Sequence, residues 1–125
     1  DITFTLLDDT DDPELMVDPD QMRQVLINLV RNASQALEPD GERSVEVRLV
    51  DAGQDVKVSV VDTGHGMDPG ETERIFEPFY STREGGTGLG LALVRHVVDC
   101  HGGQIQCFSE PGRGTTFVIT LPRSR

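Results

Sequence analysis

The 125-residue chain, with 36% apolar content, is long enough for one globular domain with a buried core. Its formal net charge of −11, with seven acids between Asp8 and Asp20, makes nucleic acid and anionic membrane surfaces poor partners. The same charge repels a nucleotide at long range, so a phosphate ligand calls for a metal ion and local donors, and no apolar run reaches membrane length.

Ile2–Leu7 alternates weakly and predicts a strand. Asp8–Glu14 predicts an acidic turn, and Leu15–Val17 a short second strand. Asp18-Pro19-Asp20-Gln21 is a helix start: Asp18 can cap, Pro19 suits the first helical position, and Gln21 completes a capping box. The helix is expected to run to about Leu37, because Met22, Val25, Leu26, Leu29, Val30, Ala33, Ala36 and Leu37 share one broad face. Asn28, Asn32 and Gln35 fall together on the flank of that face. Asn is a mediocre helix former. Two of them one turn apart imply either a solvated face or two amide oxygens aimed at a metal or polar ligand.

Glu38–Arg43 reads as a loop. Ser44–Val50 and Val56–Asp62 alternate around a turn at Asp51–Asp55 and predict an antiparallel hairpin ending at Asp62. Asp68–Glu73 predicts a helical turn or loop. Ile75-Phe76-Glu77-Pro78-Phe79-Tyr80 gathers three of the six aromatics and reads as a hydrophobic plug. Ser81–Thr87, short, polar and glycine-bearing, reads as a mobile lid. A helical pattern of Leu91, Val94, Val97 and Val98 ends at His101 before Gly102-Gly103. His96 and His101 read as helix-packing and helix-end residues. Gln104–Ser109 and Thr115–Leu121, with Phe117, Ile119 and Leu121 inward, predict a closing hairpin. Cys100 and Cys107 lack metal-type spacing and read as reduced core cysteines of a cytosolic domain, with a disulfide as the minor alternative. The abrupt ends suggest a domain of a longer protein.

Two segments carry chemistry. Val60-Val61-Asp62-Thr63-Gly64-His65-Gly66-Met67 ends a β-branched run in one carboxylate and turns at once through Gly-x-Gly. Asp62 is placed to accept from an exocyclic amine such as that of adenine, and Gly64 and Gly66 let the backbone approach a flat ligand. An ordinary strand exit gives the same pattern. His65 reads as a rim residue. Gly86-Thr87-Gly88-Leu89-Gly90-Leu91 feeds a helix N-terminus, whose unblocked N–H groups and positive dipole end suit a phosphate. No Gly-Lys-Ser/Thr follows and no strand directly precedes, so this is neither a Walker loop nor a dinucleotide fingerprint.

Together these segments resemble the ATP-binding domain of sensor histidine kinases. Asn28-Leu29-Val30-Arg31-Asn32-Ala33 is similar to its N box, and Asp62-Thr63-Gly64-His65-Gly66-Met67 to its first glycine box. Phe76-Glu77-Pro78-Phe79 resembles the F box, and Gly86–Leu91 the second glycine box. His101-Gly102-Gly103 and Gly112-Arg113-Gly114-Thr115-Thr116-Phe117 match the C-terminal signatures, so the resemblance covers nearly the whole chain as a single domain, residues 1–125. It implies an α/β sandwich of the Bergerat type: a mixed, mostly antiparallel sheet with three helices on one face.

By that resemblance Asn32 coordinates Mg²⁺ on the ATP phosphates, supported by Asn28, and Asp62 accepts from the adenine amine. Gly64, Gly66 and Met67 belong to the base site. Gly86, Thr87, Gly88, Leu89, Gly90 and Leu91 wrap the phosphates, and Thr116 holds the adenine site through water. The lid is short, as in the nitrogen-regulation subgroup. Arg83 stands where that subgroup often has Lys, and a planar fork differs from a point charge. Gln35 replaces a phosphate-binding Lys of many relatives, which leaves Arg83 and Arg31 to supply charge.

Related hydrolases carry a water-activating Glu at the position of Asn28, and an amide cannot act as a general base at neutral pH. The resemblance therefore favours phosphoryl transfer to an external acceptor. His65, His96 and His101 all lie inside ATP-domain boxes, so the acceptor is expected on a separate helical dimerisation domain of the same parent, with a response regulator downstream. The isolated domain is expected to be monomeric and cytoplasmic, and the parent homodimeric, with or without a membrane anchor. An anti-sigma-type Ser/Thr kinase and a nucleotide-binding module without chemistry are the other readings.

Overall fold

The structure, a computed structural model, describes residues 2–9, 17–80 and 88–123. Its strands are β1 (Thr3–Asp9), β2 (Ser44–Ala52), β3 (Asp55–Asp62), β4 (Gln104–Glu110) and β5 (Gly114–Pro122). They form one sheet in the order β1-β2-β3-β5-β4. β1 runs parallel to β2 and the other pairs are antiparallel. The helices are α1 (Pro19–Gln35), α2 (Pro69–Arg74) and α3 (Gly90–Cys100). The mixed, mostly antiparallel sheet and three helices match the expected sandwich.

Strand alternation decides which sheet face is covered. Val47 pairs with Val60, Val60 with Phe117, and Val58 with Ile119. Partners in register share a face, so these side chains form one apolar surface. Val25, Leu29 and Ala33 of α1 and Val94, Val97 and Val98 of α3 are buried against it. Each fully buried Val, Leu or Phe contributes about 1.5–3 kcal/mol.

Helix α1 starts as predicted, with the Asp18 carboxylate accepting from the N–H groups of Asp20 and Gln21 at 3.0 and 3.2 Å. It ends at Gln35, before Leu37, because the Ala36 N–H turns back onto the Ala33 carbonyl at 3.1 Å and the Leu37 N–H onto the Ser34 carbonyl at 3.4 Å. Leu37 is nonetheless buried in the core. A complete capping box forms at α2, where Asp68 accepts from the Glu71 N–H and the Glu71 side chain returns to Asp68. The residues predicted as a helical turn or loop are therefore a helix.

Several expectations change. Val17 lies in a bend, not a strand, and residues 15–16 lie outside the described residues. Cys100 is exposed and only Cys107 is partly buried, because Cys100 closes α3 on the flank away from the sheet. His96 is likewise exposed, with Nε2 3.7 Å from the Cys100 Sγ. The aromatic plug divides: Ile75 is buried and the Phe76 ring meets Phe117 edge-on at 6.1 Å, whereas Phe79 is 78% exposed.

His101 does more than end a helix. It is 5% exposed, and its Nε2 accepts from the Asp18 N–H at 3.1 Å. That bond fixes the tautomer, so Nδ1 carries the proton and donates to the Val97 carbonyl at 2.8 Å. One ring thus ties the start of α1 to the end of α3. His101→Ala leaves the Asp18 N–H without a partner and opens a hole, and is expected to cost about 2–4 kcal/mol. Chemical denaturation checks this; an unchanged midpoint contradicts it.

Candidate nucleotide site

A cleft opens between α1, the end of β3 and the start of α3. Asp62, the last residue of β3, stands at its closed end and is 3% exposed. One carboxylate oxygen, Oδ1, accepts from the Gly64 N–H at 2.8 Å and the Thr115 N–H at 3.2 Å. The other, Oδ2, is buried and without a partner among the described residues. Burial pushes the Asp62 pKa up, opposed by the two N–H donors and by His65. Burial and the Asp62 charge push the neighbouring Cys107 thiol up to about 12, so that thiol stays protonated.

The loop after Asp62 is clamped on both sides. The His65 N–H donates to the Ala36 carbonyl at 2.9 Å, and the Gly112 N–H donates to the His65 carbonyl at 2.7 Å. A Cβ on Gly64 would come within 2.7 Å of the Ala36 carbonyl carbon. Gly66 has φ +72°, and its Cβ would collide with the Glu110 carbonyl oxygen. Neither glycine lines the cleft. Their missing side chains let the loop pass the end of α1 and the β4–β5 turn. Met67 and His65 do line it.

The opposite wall comes from α1. Asn28, Arg31, Asn32 and Gln35 lie along it, on the flank that periodicity assigned to the two Asn residues and Gln35. The Asn28 Nδ2 is buried without a partner among the described residues. Asn28 and Asn32 are half-buried along this flank, whereas Arg31 and Gln35 are exposed.

The third wall is the second glycine loop. Gly88, Gly90 and Leu91 line the cleft. Leu89, at the N-cap of α3, is not among the lining residues; it is 44% exposed, and its own side chain makes no capping bond to the first turn of the helix. Gly88 has φ +72°, and a Cβ there would lie 2.6 Å from the Phe79 Cα and the Tyr80 nitrogen. The Phe79 N–H donates to the Gly88 carbonyl at 2.9 Å, so the aromatic segment holds this loop. Tyr80 lines the cleft beneath the Arg74 guanidinium, 4.7 Å from the ring centroid. Arg83, Gly86, Thr87 and the Ser81–Thr87 lid lie outside the described residues.

Thr116 is not a wall residue. Thr115 lines the cleft, and Thr116 sits at the alternate position of β5. The parity that turns Phe117, Ile119 and Leu121 inward also turns Thr115 inward, so the signal was present in the sequence. Ile75 and Tyr80 carried no polar pattern that would single them out.

A buried carboxylate with a spare oxygen, an amide-lined helix flank and a glycine-bearing helix start define a nucleotide-binding α/β sandwich. Residues 17–125 match the family of histidine kinase-, DNA gyrase B- and HSP90-like ATPases. The sensor histidine kinase ZraS of Escherichia coli K12 is 46% identical over 110 residues, which are 88% of this chain and 23% of that protein. Sporulation kinase E of Bacillus subtilis is 41% identical over 117 residues, 94% of this chain and 15% of that protein. The solved catalytic domain of histidine kinase ThkA aligns with TM-score 0.86 at 35% identity, covering 98% of this chain and 80% of that one. The chain belongs to this ATPase family, among the catalytic domains of histidine kinases. It spans under a quarter of the curated ZraS relative. The family implies ATP as the ligand of the cleft, and among the described residues no helix is long and apolar enough to cross a membrane.

Proposed function

We propose that this chain is the ATP-binding domain of a sensor kinase, which takes ATP with Mg²⁺ and donates the γ-phosphoryl group to a histidine on a separate helical dimerisation domain of its parent. A response regulator is the downstream acceptor. The observation that carries this reading is the Asp62 Oδ2, without a partner among the described residues, at the closed end of a cleft that the start of α3 also lines. Asp62 accepts from the adenine amine. The N–H groups of the Gly88–Leu91 segment and the dipole of α3 hold the phosphates. In support, the full-length kinase ShkA, solved in complex with AMPPNP, aligns with TM-score 0.85 at 33% identity, over 97% of this chain and 25% of that one.

Mg²⁺ takes oxygen ligands, and the Asn32 and Asn28 amides suit it in kind. These amides are neutral, so the phosphates supply most of the negative charge it needs. Bound there, the ion neutralises charge developing on the phosphates. Asn32 orients the phosphates; the Asn28 Nδ2 donates to them; Arg31 and Arg83 add positive charge. Asn28 cannot take a proton from water, so the site positions a phosphoryl group without activating a hydrolytic attack.

The acceptor domain docks beside the glycine loop. Phe79, Leu89 and Leu93 are 78%, 44% and 41% exposed, and the Phe79–Gly88 bond places the first of them against the start of α3. An apolar rim at the mouth of the cleft fits a helical partner.

The chain alone, given γ-labelled ATP, is expected to stay unlabelled and to hydrolyse slowly. With the parent's helical domain it should place acid-labile phosphate on that domain's histidine, weakly, because the two parts are no longer linked. Label on His65, His96 or His101 contradicts the proposal. Asn32→Ala is expected to melt no lower than the wild type without nucleotide, since Ala is the better helix former by roughly 0.5 kcal/mol. It should gain little from ATP with Mg²⁺. A large fall in the nucleotide-free melting temperature would make Asn32 a structural residue instead.

A further inference from the structure

Ser109 lies on β4, outside the cleft, in register with Thr115. Its hydroxyl nevertheless meets three groups of the cleft's closed end. Oγ accepts from the Met67 N–H at 2.8 Å, lies 3.0 Å from the Gly114 carbonyl oxygen, and lies 2.8 Å from the Thr115 Oγ1. A serine hydroxyl has one proton and two lone pairs. The Met67 N–H takes one lone pair. The Gly114 carbonyl can only accept, so it takes the proton. What remains toward Thr115 is a lone pair, and the Thr115 hydroxyl must donate into it. The Thr115 proton is thereby committed to Ser109, and its oxygen offers the cleft lone pairs only. Beside it lies the Asp62 Oδ2, without a partner among the described residues. The closed end presents two acceptors and no hydroxyl donor.

We propose that Ser109 is a specificity-determining positioning residue: by fixing the Thr115 hydroxyl as an acceptor, it makes the cleft select an amino group over a carbonyl oxygen at purine position 6. This rests on the cleft being the ATP site. Adenine has two N–H donors there. Hypoxanthine has an oxygen, which would face two acceptors with no proton between them, a mismatch that a polar site rejects strongly. Remove Ser109, and the Thr115 hydroxyl is free to rotate and donate to that oxygen.

The test is competition calorimetry of ATP against ITP, with Mg²⁺, on the whole chain. The wild type is expected to prefer ATP by at least a hundredfold. Ser109→Ala should shrink that ratio at least tenfold, chiefly by binding ITP better, whereas Ser109→Thr keeps the hydroxyl and should hold the ratio near that of the wild type. Loss of affinity for both nucleotides by one common factor in Ser109→Ala makes Ser109 merely structural and overturns the inference. A wild type that binds ATP and ITP alike also overturns it, while leaving the ATP reading intact. A wild type that binds neither overturns both. Thr115→Val keeps the side-chain shape and decides the matter if Ser109→Ala does not fold. It removes one of the two acceptors and should lower the ratio at least fivefold, and retention of the wild-type ratio overturns the inference.

Discussion

Asp62→Asn is expected to bind ATP about five- to 150-fold more weakly than the wild type, yet to melt no lower without nucleotide. The amide oxygen can keep both bonds that Oδ1 now accepts, from Gly64 and Thr115. The amide nitrogen replaces Oδ2 and turns a donor toward the adenine amine, a mispairing worth about 1–3 kcal/mol in a buried site. Stability goes the other way. Burial raises the Asp62 pKa above the ordinary aspartate value. A raised acid contributes stability that is present below its unfolded pKa and lost as pH rises through its folded pKa. Ionised Asp62 therefore carries a burial cost that the variant lacks. Nucleotide-free melting of the wild type should decline as pH rises through that interval, and the variant should lose this component. ATP affinity of the wild type should weaken as pH falls through the same interval, because a protonated carboxyl turns acceptor into donor. Calorimetry and melting across pH measure both. Unchanged ATP affinity in the variant would remove Asp62 from the site.

Gly66→Ala is expected to damage fold and site together, at about 2–5 kcal/mol of stability with ATP binding lost. Gly66 has φ +72°, a left-handed conformation that costs an alanine roughly 1–2 kcal/mol. Its Cβ would also collide with the Glu110 carbonyl oxygen and lie 2.8 Å from the Glu110 carbonyl carbon and 3.2 Å from the Pro111 Cα. These are backbone atoms, so relief requires the loop and the β4–β5 turn to part, at roughly 1–3 kcal/mol. Parting them strains the Gly112-to-His65 bond and the Met67-to-Ser109 bond that brace the closed end. Gly112→Ala is the control. Gly112 has φ +79° but nothing within 4 Å of its Cβ, so it should cost only the conformational part. Equal losses by chemical denaturation would show that the collision is not the cause.

What the sequence made legible follows its periodicities. Val58 and Val60 alternate with polar neighbours and do face the helices, and the amide flank of α1 was placed by spacing alone. Asp62 stood out because one carboxylate closed a β-branched run. Residues whose role depends on a distant partner were less legible. Gly64 is needed for the end of α1, Gly66 for the β4–β5 turn, and Ser109 acts from a neighbouring strand. His101 looked like a helix end because its partner, the Asp18 N–H, lies 83 residues away. Thr115, not Thr116, shares the inward parity of Phe117 and lines the cleft. Cys100 was assigned to the core from residue type alone, and the helix turned it outward.

The most direct test of the central claim is an amide NMR titration of the chain with a non-hydrolysable ATP analogue and Mg²⁺. Saturable shifts are predicted at Gly64, Met67, Gly88, Leu91 and Thr115, around the closed end of the cleft and the start of α3, with β1 and Phe108 undisturbed. No saturable shift, or shifts gathered on the open face of the sheet around Phe108, would contradict an ATP site built on Asp62.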